Sequence, residues 1–208
     1  MTERYDHDTD GDEEGEMTAI LDRAFEQPRL LDMDLPEGYR KAEIIGGAVV
    51  MSPLRSAHLD TLFELMLQLR GQLPPDLWFT GEVLTPFPLE DHEFCPDLVV
   101  IPKVEAKRNI SVCRPEWIRV VFEIISKATR DVDYQTKVGV YGRAGIAEYV
   151  IFDPYARSAT RYAHPEGGEY TLREVVHYGK PVRLDLSFPC VLETSDLPVD
   201  PGQDESGR

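Results

Sequence analysis

Two short apolar runs, CPDLVVIP at residues 95–102 and IRVVFEIIS at residues 118–126, decide the fold together with the two segments that follow them. The first of these, DVDYQTKVGVYGRAG at residues 131–145, mixes polar and apolar residues as an amphipathic helix does. The second, EYVIFDP at residues 148–154, is a further apolar run. Short β-branched runs bounded by turn signals are typical of strands covered on both faces. The segment therefore predicts three buried strands and one helix.

Each of the first two runs carries one carboxylate. Asp97 stands at the start of the first run, and Glu123 lies inside the second. A carboxylate in an apolar strand is costly to bury unless it is paired, hydrogen-bonded or bound to a cation. Neighbouring strands lie about 5 Å apart, so the two carboxylates would share one divalent cation if these strands pair. Oxygen ligands of this kind suit Mg²⁺ or Mn²⁺.

The predicted helix carries Lys137, four residues after Asp133. This spacing leaves two interpretations open. One is a plain ion pair on the protein surface, which residues four apart on a helix commonly form. The other is a lysine that serves a site together with Asp97 and Glu123. Tyr141 shares a helix face with Lys137 and would support that site.

The N-terminal half predicts a hairpin and a helix. In YRKAEIIGGAVVMS, residues 39–52, two β-rich arms flank a Gly-Gly turn. Glu43 in the first arm is either a solvent-facing residue or an extra carboxylate for the metal site. Residues 56–73 repeat leucine and methionine at three and four residues, which predicts a helix. His58 in its first turn is either a surface or packing residue or a member of the site.

Charge is concentrated at the two ends of the 208-residue chain, whose formal net charge is −16. Residues 1–16 hold eight acidic residues and one basic residue, and residues 193–208 hold five and one. Acidic ends without apolar periodicity predict disordered tails around a single domain at residues 17–192. The domain itself is only mildly acidic and shows no wide basic face, so charge neither excludes nor favours nucleic-acid binding.

The three cysteines show no CxxC spacing and predict free thiols in a reducing compartment. No apolar run reaches 18 residues, so no membrane span is expected. The N-terminus lacks the basic and apolar regions of a signal peptide, so a cytoplasmic protein is expected.

The densest group of positive residues lies in the loop at residues 103–116. Its members are either phosphate contacts or part of a solvated face: Lys103, Lys107, Arg108 and Arg114.

The motifs PDLVVIP, VFEIIS, D-x-x-x-K-x-x-x-Y and AGIAEYVIFDP occur in this order and resemble the Uma2 family, also called DUF820, of restriction-endonuclease-like proteins. The resemblance covers roughly residues 36–190. It implies the fold of the PD-(D/E)xK phosphodiesterases, which is an α/β fold with a mixed central β-sheet flanked by helices. In this chain an N-terminal hairpin and C-terminal antiparallel strands, expected from Ser158 onward, would be added to it.

The resemblance also assigns residues. The family's metal-binding aspartate falls on Asp97 and its strand glutamate on Glu123, while Glu43 and His58 match an early acidic position and a helix-opening histidine. The superfamily usually has a lysine two positions after the glutamate. Ile125 occupies that position in this chain, and the resemblance implies that the lysine has moved to the following helix, as Lys137. Lys127 stands where the family usually shows proline.

The resemblance implies a Mg²⁺-dependent endonuclease, with DNA as the first candidate substrate and a homodimer as a candidate assembly. In that mechanism Asp97 and Glu123 hold the metal, and Lys137 orients the attacking water or stabilises charge on the phosphate. Two alternatives stay open. One is a binding or regulatory module that keeps the nuclease fold without turnover, and the other is a metal-binding protein without phosphate chemistry.

Overall fold

The computed structural model describes residues 15, 18–19, 22–34, 41–52, 55–127 and 129–200. The acidic tail predicted for residues 1–16 lies outside the described residues except for Gly15, as do residues 201–208 of the second tail.

Within the described residues, twelve strands and three helices have both ends defined, and residues 22–26 are also helical. The strands are β1 (Lys41–Ile45), β2 (Ala48–Ser52), β3 (Leu77–Thr80), β4 (Thr85–Phe87), β5 (His92–Phe94), β6 (Leu98–Pro102), β7 (Val120–Ile124), β8 (Glu148–Asp153), β9 (Ser158–Glu166), β10 (Glu169–His177), β11 (Val182–Asp185) and β12 (Pro189–Leu192). The helices are α1 (Ser56–Arg70), α2 (Lys103–Ala106) and α3 (Lys137–Arg143), the last preceded by a π-helical turn at Val132–Thr136. Short 3₁₀ turns occupy Arg29–Asp32, Pro88–Glu90 and Pro115–Trp117.

The centre of the fold is a mixed sheet in the order β10-β9-β8-β7-β6-β3. Strand β7 pairs in parallel with β8, and the chain passes between them through α3, as a parallel connection requires. The other pairings of this sheet are antiparallel. The three apolar runs are therefore the strands β6, β7 and β8, as predicted.

The predicted N-terminal hairpin is β1 and β2, and it belongs to a second sheet with the order β2-β1-β5-β4. Its turn residues Gly46 and Gly47 have φ values of +54° and +78°. Positive φ at both central residues matches the twist of a two-residue hairpin and is easy only for residues such as glycine. Strand β1 is buried from Lys41 to Ile44, so Glu43 is not the solvent-facing residue of the first interpretation.

The central sheet is covered on both faces because its side chains alternate. Val100 and Phe122 point to one face, where Leu65 and Leu69 of α1 pack. On the other face, residues such as Val99, Val121 and Ile151 pack with Val140 and Tyr141 of α3. This arrangement confirms the predicted α/β fold with helices flanking a mixed sheet.

The C-terminal strands are antiparallel, as predicted: β9 and β10 extend the central sheet, and β11 and β12 form a separate pair. Packed structure continues beyond residue 192, where charge composition placed the domain boundary. Thr194 and Leu197 are buried, and Asp200 pairs with Arg55 at 3.1 Å. In the described part of the chain, no helix is both long and apolar enough to cross a membrane.

Candidate active site

Six charged side chains meet between the central sheet and the second sheet, and each residue is at least nine-tenths buried. We call them the charged cluster. Its members are Lys41, Glu43, Asp97, Glu123, Asp133 and Lys137. With four carboxylates and two ammonium groups, the cluster carries more negative than positive charge when all are ionised.

Asp97 is fixed from both of its oxygens. Its Oδ2 accepts a hydrogen bond from the backbone N–H of Ile124 at 2.7 Å, which ties it to the neighbouring strand β7. Its Oδ1 accepts a hydrogen bond from Lys41 Nζ at 2.7 Å and lies 3.3 Å from His58 Nε2. Gly81 permits this placement, since a Cβ atom there would lie 2.5 Å from the Asp97 carbonyl oxygen.

Glu123 lies between the two lysines. Its Oε1 accepts hydrogen bonds from Lys137 Nζ at 2.7 Å and from the Tyr141 hydroxyl at 3.4 Å. Its Oε2 accepts one from Lys41 Nζ at 3.3 Å. The sequence prediction that Asp97, Glu123, Lys137 and Tyr141 come together therefore agrees with the structure.

Lys137 is surrounded by carboxylates. Besides Glu123, its Nζ lies 2.9 Å from Glu43 Oε1 and 2.9 Å from Asp133 Oδ1. Its side chain is 1 % exposed, so the Asp133–Lys137 pair exists but is not the surface ion pair of the first interpretation. The π-helical turn carries Asp133 inward together with the lysine at the start of α3.

Glu43 connects the second sheet to the central one. Its Oε1 accepts a hydrogen bond from the backbone N–H of Cys95 at 2.9 Å and also faces Lys137. His58, at the start of α1, contacts the same Asp97 oxygen as Lys41 does. Of the three supporting residues that the sequence proposed, Glu43 is a member of the charged cluster, and His58 and Tyr141 contact it.

The two central carboxyls have different proton affinities. Burial opposes ionisation of Asp97, but the charge of Lys41 and the hydrogen bond with His58 outweigh it and hold its pKa well below the usual range. Burial is the largest effect on Glu123 and raises its pKa. The negative charges of Asp97 and Asp133 raise the pKa further, the two lysines lower it only in part, and the result is a pKa of about 8. Two neighbouring carboxyls with separated pKa values are a common feature of acid–base sites.

Both lysines of the charged cluster remain cationic. Burial alone would lower their pKa values, but the surrounding carboxylates raise them well above the ordinary value. For Lys41 the main carboxylates are Asp97 and Glu123, and for Lys137 they are Asp133 and Glu123.

The carboxylates Asp97 and Glu123 fit a hard divalent cation. Asp97 Oδ1 and Glu123 Oε2 both contact the single cationic atom Lys41 Nζ, so their oxygens converge on one position. Mg²⁺ in phosphate-processing sites is usually held by one or two protein carboxylates, with water and substrate oxygens completing its shell. Among the described residues, no three His, Cys, Asp or Glu side chains are grouped closely enough to form a complete protein cage.

The four proposed phosphate contacts lie elsewhere. Lys103 follows the last residue of β6, whereas Asp97 precedes the first, so about 20 Å of extended chain separates their backbones. Arg108 pairs with Glu105, and Arg114 pairs with acidic residues at its own end of the molecule. Lys103 and Lys107 line a cavity with Asp76 and Asp185. A role for these bases in binding phosphate stays a prediction.

Sequence reasoning missed Lys41 and did not assign Asp133 to the site. A signal for Lys41 existed, because residues two apart in a strand point to the same face, and Glu43 was already a candidate. For Asp133 the i,i+4 spacing from Lys137 was noticed, but it did not distinguish a buried pair from an exposed one.

A mixed sheet flanked by helices, with Asp97 just before one strand, Glu123 on the next and a buried lysine beside them, matches a nuclease-like fold. The chain belongs to the Uma2 family, whose model, described as "Putative restriction endonuclease", matches residues 28–200. The family's description supports a nuclease function.

A solved structure with the same fold is that of a nuclease described as putative and as belonging to DUF820, from Anabaena variabilis ATCC 29413. The two chains are 16 % identical, with a TM-score of 0.58 over 74 % of this chain and 86 % of the other. None of the curated proteins matches the chain.

Proposed function

We propose that the protein is a Mg²⁺-dependent endonuclease that hydrolyses phosphodiester bonds, with DNA as its substrate. The observation that carries this proposal is the convergence of Asp97 and Glu123 oxygens on one cation position. Mn²⁺ has the same preference for oxygen ligands and is the natural substitute.

In this proposal Asp97 and Glu123 would hold the metal, which would supply an activated water and neutralise charge on the phosphate. The backbone N–H of Ile124 fixes the orientation of Asp97. Glu123 is oriented by Lys137 and Tyr141. Holding the ligands rigidly in this way keeps reacting groups in a productive arrangement.

Lys137 has a more specific role in this geometry than the sequence suggested. Three carboxylates surround its ammonium group, and its side chain is 1 % exposed. Its contacts therefore favour a positioning role, in which it holds Glu123 and balances the charge of the cluster. Direct contact of Lys137 with the phosphate is the alternative role, and both predict loss of cleavage when the lysine is removed.

Cleavage assays on duplex DNA, single-stranded DNA and RNA, each with Mg²⁺, Mn²⁺ or EDTA, test the proposal. The variants are Asp97→Asn, Glu123→Gln and, as a matched control at an exposed carboxylate, Glu169→Gln. We expect metal-dependent cleavage of DNA by the parent and the control. Each carboxylate variant should lose at least about 100-fold in rate, more than the loss of an outer-shell partner usually costs. Cleavage by folded Asp97→Asn at the parent rate would overturn the proposal.

A nuclease-fold binding module is the second candidate, because Lys41 and Lys137 together pair with all four carboxylates of the charged cluster. Retention of DNA in a gel-shift assay, with no cleavage under any metal condition, would favour it.

The same samples, measured by light scattering with and without duplex DNA, test the proposed homodimer, since cutting both strands calls for two active sites.

A further inference from the structure

The position on which Asp97 and Glu123 converge is held by a cation of the chain itself. Lys41 Nζ lies 2.7 Å from Asp97 Oδ1 and 3.3 Å from Glu123 Oε2. These are the two carboxylates that the proposed function assigns to the metal. An ammonium and a divalent cation cannot both occupy one position, and their like charges repel strongly at short range in a site of low dielectric constant.

The two lysines of the charged cluster differ in how firmly they are held. Lys137 faces three carboxylates, and its side chain is 1 % exposed. Lys41 faces two carboxylates and is the first residue of β1, and its side chain is 10 % exposed. Lys41 is therefore less buried than Lys137 and has fewer carboxylate partners. Its long, flexible side chain allows the ammonium group to leave the two carboxylates while the backbone stays in place.

We propose that Lys41 is a built-in competitor of the metal: its ammonium group occupies the cation position in the metal-free protein, and metal binding displaces it. This inference rests on the proposed function, because it concerns the same two carboxylates. Its consequence is that the apparent metal affinity of the parent is lower than the intrinsic affinity of the carboxylate pair. The reduction equals the fraction of molecules in which the position is free.

Removing the ammonium group should strengthen metal binding. If Lys41 occupies the position in about nine molecules out of ten, then Lys41→Met should bind Mn²⁺ about tenfold more tightly than the parent. Lys41→Arg keeps a cation and should bind metal no more tightly than the parent. Lys107→Met removes an exposed lysine of the same size and should match the parent. The double variant with Asp97→Asn added to Lys41→Met should lose the gained affinity.

The test is Mn²⁺ titration by calorimetry, with circular dichroism to confirm that each variant is folded. A second measurement uses the parent alone, so it does not depend on a variant that folds. Acetic anhydride labels accessible amines, and mass spectrometry quantifies the labelling of each lysine. Labelling of Lys41 should be low without metal and should rise severalfold with Mn²⁺, over the same concentrations that saturate the calorimetric signal. Lys137 should stay unlabelled throughout.

Equal Mn²⁺ affinity in the parent and in folded Lys41→Met, or labelling of Lys41 that Mn²⁺ does not change, would overturn the inference. The proposed function would survive that result, provided that the parent binds metal and cleaves DNA. Absence of Mn²⁺ binding in both the parent and Lys41→Met, together with cleavage that EDTA does not abolish, would instead overturn the metal-dependent function and the inference with it.

Discussion

Lys137 gives the sharpest prediction about stability, because its ammonium group balances three buried carboxylates. Lys137→Met keeps most of the side-chain volume but leaves Glu43, Glu123 and Asp133 without their shared cation. Removing one partner of a buried ion pair typically costs about 3–5 kcal/mol. In a domain of this size, each kcal/mol lowers the melting temperature by about 2–4 °C, so we expect a decrease of about 6–20 °C.

The pH dependence of the unfolding free energy shows whether Lys137→Met destabilises the protein through the lost charge or through the changed packing. The carboxylates around Lys137 raise its pKa above that of the unfolded chain, so its contribution is fully present below about pH 10 and is lost only at more alkaline pH. In Lys137→Met, Glu43 loses the main charge that holds its pKa down against burial, so it should bind a proton more readily in the folded state than in the unfolded state. The stability of the variant should then fall as pH rises from 5 to 8.

The assay is urea unfolding of the parent, Lys137→Met and the surface control Lys107→Met at both pH values. The difference in unfolding free energy between the parent and Lys137→Met should be larger at pH 8 than at pH 5, and the control should match the parent. A difference below about 1 kcal/mol at pH 8 would refute the reasoning, since this is the range of exposed ion pairs. A difference that does not change with pH would point to packing instead of charge.

Three further predictions concern other parts of the molecule. Gly81→Ala should lower the melting temperature and weaken Mn²⁺ binding measured by calorimetry, because its Cβ would collide with the Asp97 carbonyl oxygen. Gly71→Ala is the control, since its Cβ would meet only ordinary contacts and should change neither measurement. Arg161→Lys should cost about 1.5–3 kcal/mol in urea unfolding, because one ammonium cannot replace the two buried hydrogen bonds to Glu148; cleavage per folded molecule should be unchanged. The buried thiols of Cys113 and Cys190, whose pKa values burial raises to about 12 and about 11, should react slowly with a disulfide reagent at pH 8 and fast in urea. Fast reaction of these two thiols in the folded protein would contradict their burial.

The central strands and their carboxylates were predictable because the signal is local. A lone charge in a β-branched run, as at Glu123, implies a buried partner, and the helix between two such runs implies a parallel crossover. The hairpin was predictable for a similar reason, since Gly46 and Gly47 are suited to its turn. These features depend on neighbours in sequence, so a single sequence is sufficient to find them.

The rest of the site depends on contacts between distant segments. Lys41 shares a strand face with Glu43, two residues later, but the sequence does not show whether that face is buried. Its burial arises because the hairpin packs over the ends of β6 and β7. Asp133 was ambiguous because a π-helical turn shifts the phase of the helix face, so helical spacing alone does not reveal which side chains point inward.

The sequence separation between members of the charged cluster determines when the cluster forms during folding. Lys41 is 56 residues from Asp97 and 82 residues from Glu123, and these contacts form only when the second sheet docks on the central one. Contacts of such high sequence separation carry a large loop-closure cost and belong to slow steps of folding. A chain that has formed only its central sheet lacks Lys41 and Glu43, and so has an unbalanced cluster of acids. The charge balance of the site is thus completed late in folding, which confines the complete charged cluster to fully assembled molecules.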